Sequence, residues 1–78
     1  MARTYHWLLS RDFDGDWTIE FGDYDKSVVR DERDDYRDHG FKLKDLRIHE
    51  GPPNDKYIQG FVAKLNALNA KMQEMADA

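Results

Sequence analysis

The chain has no cysteine among its 78 residues. No disulfide can staple it and no thiolate can hold a metal or act as a nucleophile. Proline occurs twice, both times in one place, Pro52-Pro53. The N-terminus has no apolar leader-like run, and no apolar stretch approaches the ~20 residues of a membrane span. There is no glycine-rich phosphate loop and no nucleophile-elbow motif around Ser10 or Ser27. These absences leave one small domain, 1–78, expected to be soluble, cytoplasmic and non-enzymatic.

What is present argues for a fold. Aromatic residues make up 13% of the chain and hydrophobic residues 40%, whereas disordered chains are poor in both. The net charge of −4 is unevenly distributed. Residues 12–38 hold eleven acids against four bases, while the segments on either side are slightly basic. An acidic central third disfavours direct nucleic-acid binding and suits a basic protein surface.

Two alternating stretches, RTYHWLLSR (3–11) and DWTIEFG (16–22), read as strands. The DFDG between them reads as the turn of a hairpin. A three-residue loop, Phe13-Asp14-Gly15, pairs Arg11 with Trp17, Leu9 with Ile19 and Trp7 with Phe21. That register gathers Tyr5, Trp7, Leu9, Trp17, Ile19 and Phe21 on one face. A two-residue loop would scatter them, and burial selects the first. Leu8 is then left on the outer face beside His6.

Asp12, Asp14 and Asp16 alternate as in a calcium loop. Counting from Asp12, the position that needs the sharp-turn glycine is Trp17, and the one that needs the bidentate glutamate is Asp23. Gly15 stands where a hairpin bulge wants it. These acids are therefore read as a wet turn.

FGDYDKSVVRDERDDYRDHG follows as a helix, capped by Asp25 or Ser27 and ended at Gly40. Its apolar stripe is narrow: Tyr24, Val28, Glu32 and Tyr36. Arg30–Asp34 and Asp34–Arg37 have helical-pair spacing. A third strand is placed at about Lys44 to Glu50, and GPPN makes a stiff turn. Asn54 then caps an amphipathic helix carrying Ile58, Phe61, Val62, Leu65, Leu68, Met72 and Met75. The expected architecture is α+β in two layers, in the order β-β-α-β-α. Its three-stranded antiparallel sheet has strand order 2-1-3, with both helices on one face. The other face, with Thr4, His6, Leu8, Ser10, Thr18 and Glu20, is expected to be open.

Sites of chemistry are few. Glu32, on the helix seam, is the one carboxylate placed for a raised pKa. His6, His39 and His49 fall on different elements without metal-ligand spacing. No catalytic, cofactor or metal residue is assigned. The candidate partner-binding residues are the carboxylates: Asp31, Asp34, Asp35 and Asp38 on the helix, and Asp12, Asp14 and Asp16 on the turn.

The stretch W-x₉-W-x₃-FGDYD-x₂-VV-x₂-E, from Trp7 through Glu32, resembles small uncharacterised proteins encoded by phages and prophages. The stretch that carries the resemblance is about a third of the chain, and the resemblance brings no known activity. It implies context only: the cytoplasm of a bacterial host and a host protein as target. The charge layout adds the expectation that this host or phage protein partner has a basic surface, with no direct nucleic-acid role, and the lack of an apolar span that there is no membrane role. The reading this supports is a non-enzymatic acidic interaction module. It would modulate or inhibit a host nucleic-acid-handling protein. The alternative is a homo-oligomeric accessory protein, assembling through the open sheet face or the C-terminal helix. For the turn, a calorimetric titration with calcium should show no micromolar binding; saturable heat in that range would make Asp12, Asp14 and Asp16 ligands instead.

Overall fold

The computed structural model describes residues 4–77, with side chains through residue 75; Arg3, where the sequence reading starts the first strand, lies outside them. The elements are β1 (Tyr5–Arg11), β2 (Trp17–Asp23), α1 (Lys26–Asp38), a 3-10 turn (Leu43–Asp45), β3 (Leu46–Gly51) and α2 (Asp55–Asp77). The sheet is antiparallel with order β2-β1-β3. The α+β class, the element order and the strand order follow the sequence reading.

The layering does not. His6, Trp7, Leu8, Leu9 and Ser10 are consecutive and all buried, with Leu8 and Leu9 at 0% exposure. Successive residues of a strand point to opposite faces. Both faces of β1 are therefore covered, and the helices lie on opposite sides of the sheet. α2 takes the face of Trp7 and Leu9, where Ile58 and Val62 complete a core flanked by Tyr5, Trp17, Ile19, Phe61 and Leu65. α1 takes the face of His6, Leu8 and Ser10, contributing the fully buried Val29. The Cα extents of 47 × 30 × 13 Å fit three layers stacked ~10 Å apart and three strands side by side. The face expected to be open is the seat of α1.

Two glutamates gather polar groups of that face and of α1, while the buried His6 Nδ1 makes no hydrogen bond. Leu8 lies opposite Phe21 while Leu9 lies opposite Ile19, so Glu20 is the extra residue of a bulge in β2. Its carboxylate accepts hydrogen bonds from the Ser10 hydroxyl at 2.7 Å and the Tyr36 hydroxyl at 3.0 Å. At the other end, Glu50 lies 3.1 Å from the Lys26 ammonium and 3.5 Å from His6 Nδ1. The bulge also corrects the hairpin register beyond Leu9. Arg11–Trp17 and Leu9–Ile19 pair as the sequence predicts, but Trp7 pairs with Gly22 and Phe21 turns to the α1 face. Gly22 leaves room for two rings: a Cβ there would stand 2.5 Å from Tyr5 and 2.9 Å from Trp7.

Both helices start where side chains can cap them. Asp25 accepts from the Ser27 amide at 2.9 Å, and Asn54 from the Tyr57 amide at 3.2 Å. α1 ends with the Phe41 amide on the Tyr36 carbonyl and the Gly40 amide on the Arg37 carbonyl. Tyr36 and Phe41 then meet edge to face at 5.4 Å, the hydrophobic contact that accompanies such an end. The seam of α1 runs through Val29, Arg33 and Tyr36; Tyr24 and Val28, expected on it, lie at its margin and are 40% and 37% exposed. The 3-10 turn reconciles the two phases of the sequence before β3. Arg11 clamps it, with Nε 3.1 Å and Nη2 3.0 Å from the Asp45 carboxylate.

Leu8→Ala tests the two-sided burial. A Leu truncated in a closed core costs about 2–5 kcal/mol, a large share of the roughly 4–12 kcal/mol expected for this length. Urea unfolding should show that loss. A change within about 0.5 kcal/mol, typical of surface positions, would mean that α1 does not cover β1.

Candidate functional site

The hairpin tip is built by backbone bonds and held by α2. The Asp12 amide donates to the Asp16 carbonyl, and the Gly15 amide to the Asp12 carbonyl, both at 3.0 Å. Gly15 has φ of 93°, the left-handed conformation a three-residue hairpin loop requires. The Asp12 carboxylate accepts from the Asp16 amide at 3.0 Å. Three carboxamides, spaced three and four residues apart on α2, then grip the hairpin. Asn66 accepts from the Trp17 amide at 2.7 Å and donates to the Trp17 carbonyl at 3.1 Å. Gln73 donates to the Asp14 carbonyl at 2.8 Å, and Asn69 to the Asp16 carboxylate at 3.3 Å. The result is a fixed loop whose carboxylates at positions 12, 14 and 16 are exposed. Between them Phe13 stands 98% exposed.

The bases nearest these acids are Arg11, at the end of β1 and paired with Asp45, and Lys44, which line one open groove with Asp12 and Asp14. Residues 12–25 contain six acids and no base. The α1 carboxylates are placed differently. Asp31, Asp34, Asp35 and Asp38 are all exposed, but Arg30, Arg33 and Arg37 are interleaved with them, so residues 26–38 hold five acids and four bases. Asp34 lies 3.7 Å from Arg33 Nε, in place of the Arg30 and Arg37 pairings suggested by spacing. An open groove of about 570 Å³ at the end of α1 is lined by Asp34, Arg37, Asp38, Phe41, Lys42 and Leu43. Its lining is mixed in sign. The two sets of candidate carboxylates are thus separate surfaces, and the hairpin tip is the more uniformly negative.

The remaining candidates are dispersed. Glu32 is half-buried and lines a groove with Asp35, Tyr36, His39 and Phe41. Tyr36 is held above its ordinary pKa by burial and by its bond to Glu20, which keeps its hydroxyl a donor. His6 lies in β1, His39 caps α1 and His49 lies in β3. Among the described residues no three His, Cys, Asp or Glu side chains come together as a metal site. No helix among them is long and apolar enough to cross a membrane. Comparison of the chain with protein-family models, curated proteins and solved structures gives no match.

The sequence reading missed the carboxamide grip. Asn66, Asn69 and Gln73 look like the solvent face of an amphipathic helix. Their one legible signal is the spacing of three and four residues, which gives them a common side. It also missed the environment of His49. That ring stacks on Phe61 with centroids 3.8 Å apart, and its Nε2 is 2.8 Å from the Tyr57 hydroxyl. The Arg47 guanidinium lies over the same Phe61 ring at 5.3 Å.

Burial and then Arg47 lower the His49 pKa below 6.5, with Glu50 opposing. The fold therefore favours the neutral ring. Its contribution to stability is fully present above pH 6.5 and is lost as pH falls through the lowered folded-state value. Thermal unfolding followed from pH 7 to about pH 5 should show a falling melting temperature. His49→Gln should be less stable at pH 7 and flatter across that window. An equally steep slope in the variant would assign the dependence to other groups.

Proposed function

We propose that this protein is a non-enzymatic acidic interaction module that binds a partner protein through a basic surface on that partner. The observation that carries the reading is the hairpin tip. Asp12, Asp14 and Asp16 surround an almost wholly exposed Phe13 on a loop that α2 holds in place. A preformed tip loses little conformational freedom on binding. An aromatic anchor ringed by charge matches the anatomy of binding hot spots. The exposed carboxylates of α1, Asp31, Asp34, Asp35 and Asp38, provide a second and weaker negative surface.

The resemblance to phage and prophage proteins suggests a bacterial host as the setting. There, a nucleic-acid-handling protein offers the basic surface this chemistry requires. Carboxylates spaced along a rigid loop would occupy a phosphate-binding cleft as competitors of nucleic acid. Surface charge of this kind mainly sets association rate and salt sensitivity. The acidic surfaces themselves repel nucleic acid.

The test is affinity capture from bacterial lysate with three forms of the protein. These are the wild type, the tip variant Asp12→Asn/Asp14→Asn/Asp16→Asn, and the helix variant Asp31→Asn/Asp34→Asn/Asp35→Asn/Asp38→Asn. Asparagine keeps the side-chain oxygen that accepts the Asp16 amide, so the loop should survive. The wild type should capture a protein that the tip variant loses at least tenfold and the helix variant loses less. Wild-type protein should release that partner from DNA at low salt. Capture of the same proteins by all three forms would refute the electrostatic reading.

A further inference from the structure

Helix α2 carries a seam that only half of the fold uses. Ile58, Phe61, Leu65, Leu68, Met72 and Met75 follow one another at steps of three, four, three, four and three. That alternation is the apolar repeat of helices that pack along each other. In the first half, Ile58 is buried and Phe61 and Leu65 are half-buried against the sheet. In the second half the repeat continues without a partner: Leu68 is 57% exposed, Met72 61% and Met75 70%. The cause is length. Twenty-three residues make a helix of about 34 Å, whereas a seven-residue strand covers about 24 Å. An isolated helix end of this kind would fray. Here Asn69 and Gln73 fasten it to the hairpin, leaving the apolar seam on an adjoining side, ordered and bare.

We propose that a second copy of this chain covers the seam, α2 against α2 about a two-fold axis. Charge selects this occupant. A two-fold contact joins a patch to itself, so the hairpin tip cannot serve, since it would meet its own negative charge, and the outer side of α1 offers interleaved charges in place of an apolar seam. Between Phe61 and Met75 the helix carries Lys64, Lys71 and Glu74 and no other charge. Among the described residues, that is the one long exposed apolar stretch without excess acid. Lys71 and Glu74, three residues apart and opposite in sign, can each face the other across the axis. A basic partner finds one acid there against two bases, so this surface is distinct from the one assigned to partner binding and does not rest on that assignment. Methionine suits the contact because its flexible side chain packs against itself without a fixed geometry.

The contact is small beside the roughly 20–30 residues a side of a standard interface, so the dimer is weak. Sedimentation equilibrium should give a weight-average mass that rises from 9.2 kDa towards twice that value between about 10 and about 500 µM, a span suited to a small interface. Met72→Asp should stay monomeric throughout, with an unchanged melting temperature, since the side chain is exposed. Met75→Asp, one turn on, should do the same. Phe13→Asp, which adds charge at the tip, should dimerise as the wild type does. A wild type that remains at the monomer mass overturns the proposal. So does a Met72→Asp or Met75→Asp chain that associates as readily as the wild type.

Discussion

Strand β1 has to be buried on both faces at once, and the other elements are arranged by that requirement. Its five consecutive buried residues are large and apolar on one face, with Trp7 and Leu9, and mixed on the other, with His6, Leu8 and Ser10. α2 answers the first face with an apolar seam. α1 answers the second with little more than Val29. The remainder of that face is closed by polar pairs: Ser10 and Tyr36 on Glu20, and His6 and Lys26 around Glu50. A sheet only three strands wide, in a chain of 78 residues, has no apolar side chains to spare for a second full core. Hydrogen bonds between partly buried polar groups replace them, each adding little net stability but costly to leave unmade.

This division explains what could be read from the chain and what could not. The turn at Asp12–Gly15, the cap at Asn54 and the pairing of Arg11 with Trp17 depend on residues within a few positions of one another, and each was legible; the cap of α1 was narrowed to Asp25 or Ser27, and it is Asp25. The side taken by α1 was not. His6, Leu8 and Ser10 alternate with larger apolar residues as an exposed face does, and their partners lie 10 to 44 residues away in sequence. The bulge at Glu20 was hidden for a related reason. DWTIEF alternates without a break, so an extra residue leaves no mark on the pattern; it shows only when Phe21 is needed beside Leu8 and Gly22 beneath Trp7. The acidic residues were legible as to type and exposure. Their relative weight emerged once α1 was seen to mix its carboxylates with three arginines, whereas residues 12–25 hold no base.

The C-terminal half of α2 connects these observations. Its carboxamides fix the hairpin tip, and its apolar seam lies bare beside them. One short stretch of helix therefore bears on two surfaces of opposite character. An acidic surface suits an unlike partner, because attraction requires the other sign. A nearly neutral apolar surface suits a like partner, because a two-fold axis brings every charge to its own copy. The two differ in composition: six acids and no base lie within residues 12–25, and one excess base within residues 61–75. Because Asn69 and Gln73 hold helix and loop together, loosening that grip would free the tip to move and let the seam fray in the same step. The tip proposed for partner binding and the seam proposed for self-association are thus mechanically linked through these amide side chains, although the forces that would drive the two contacts differ.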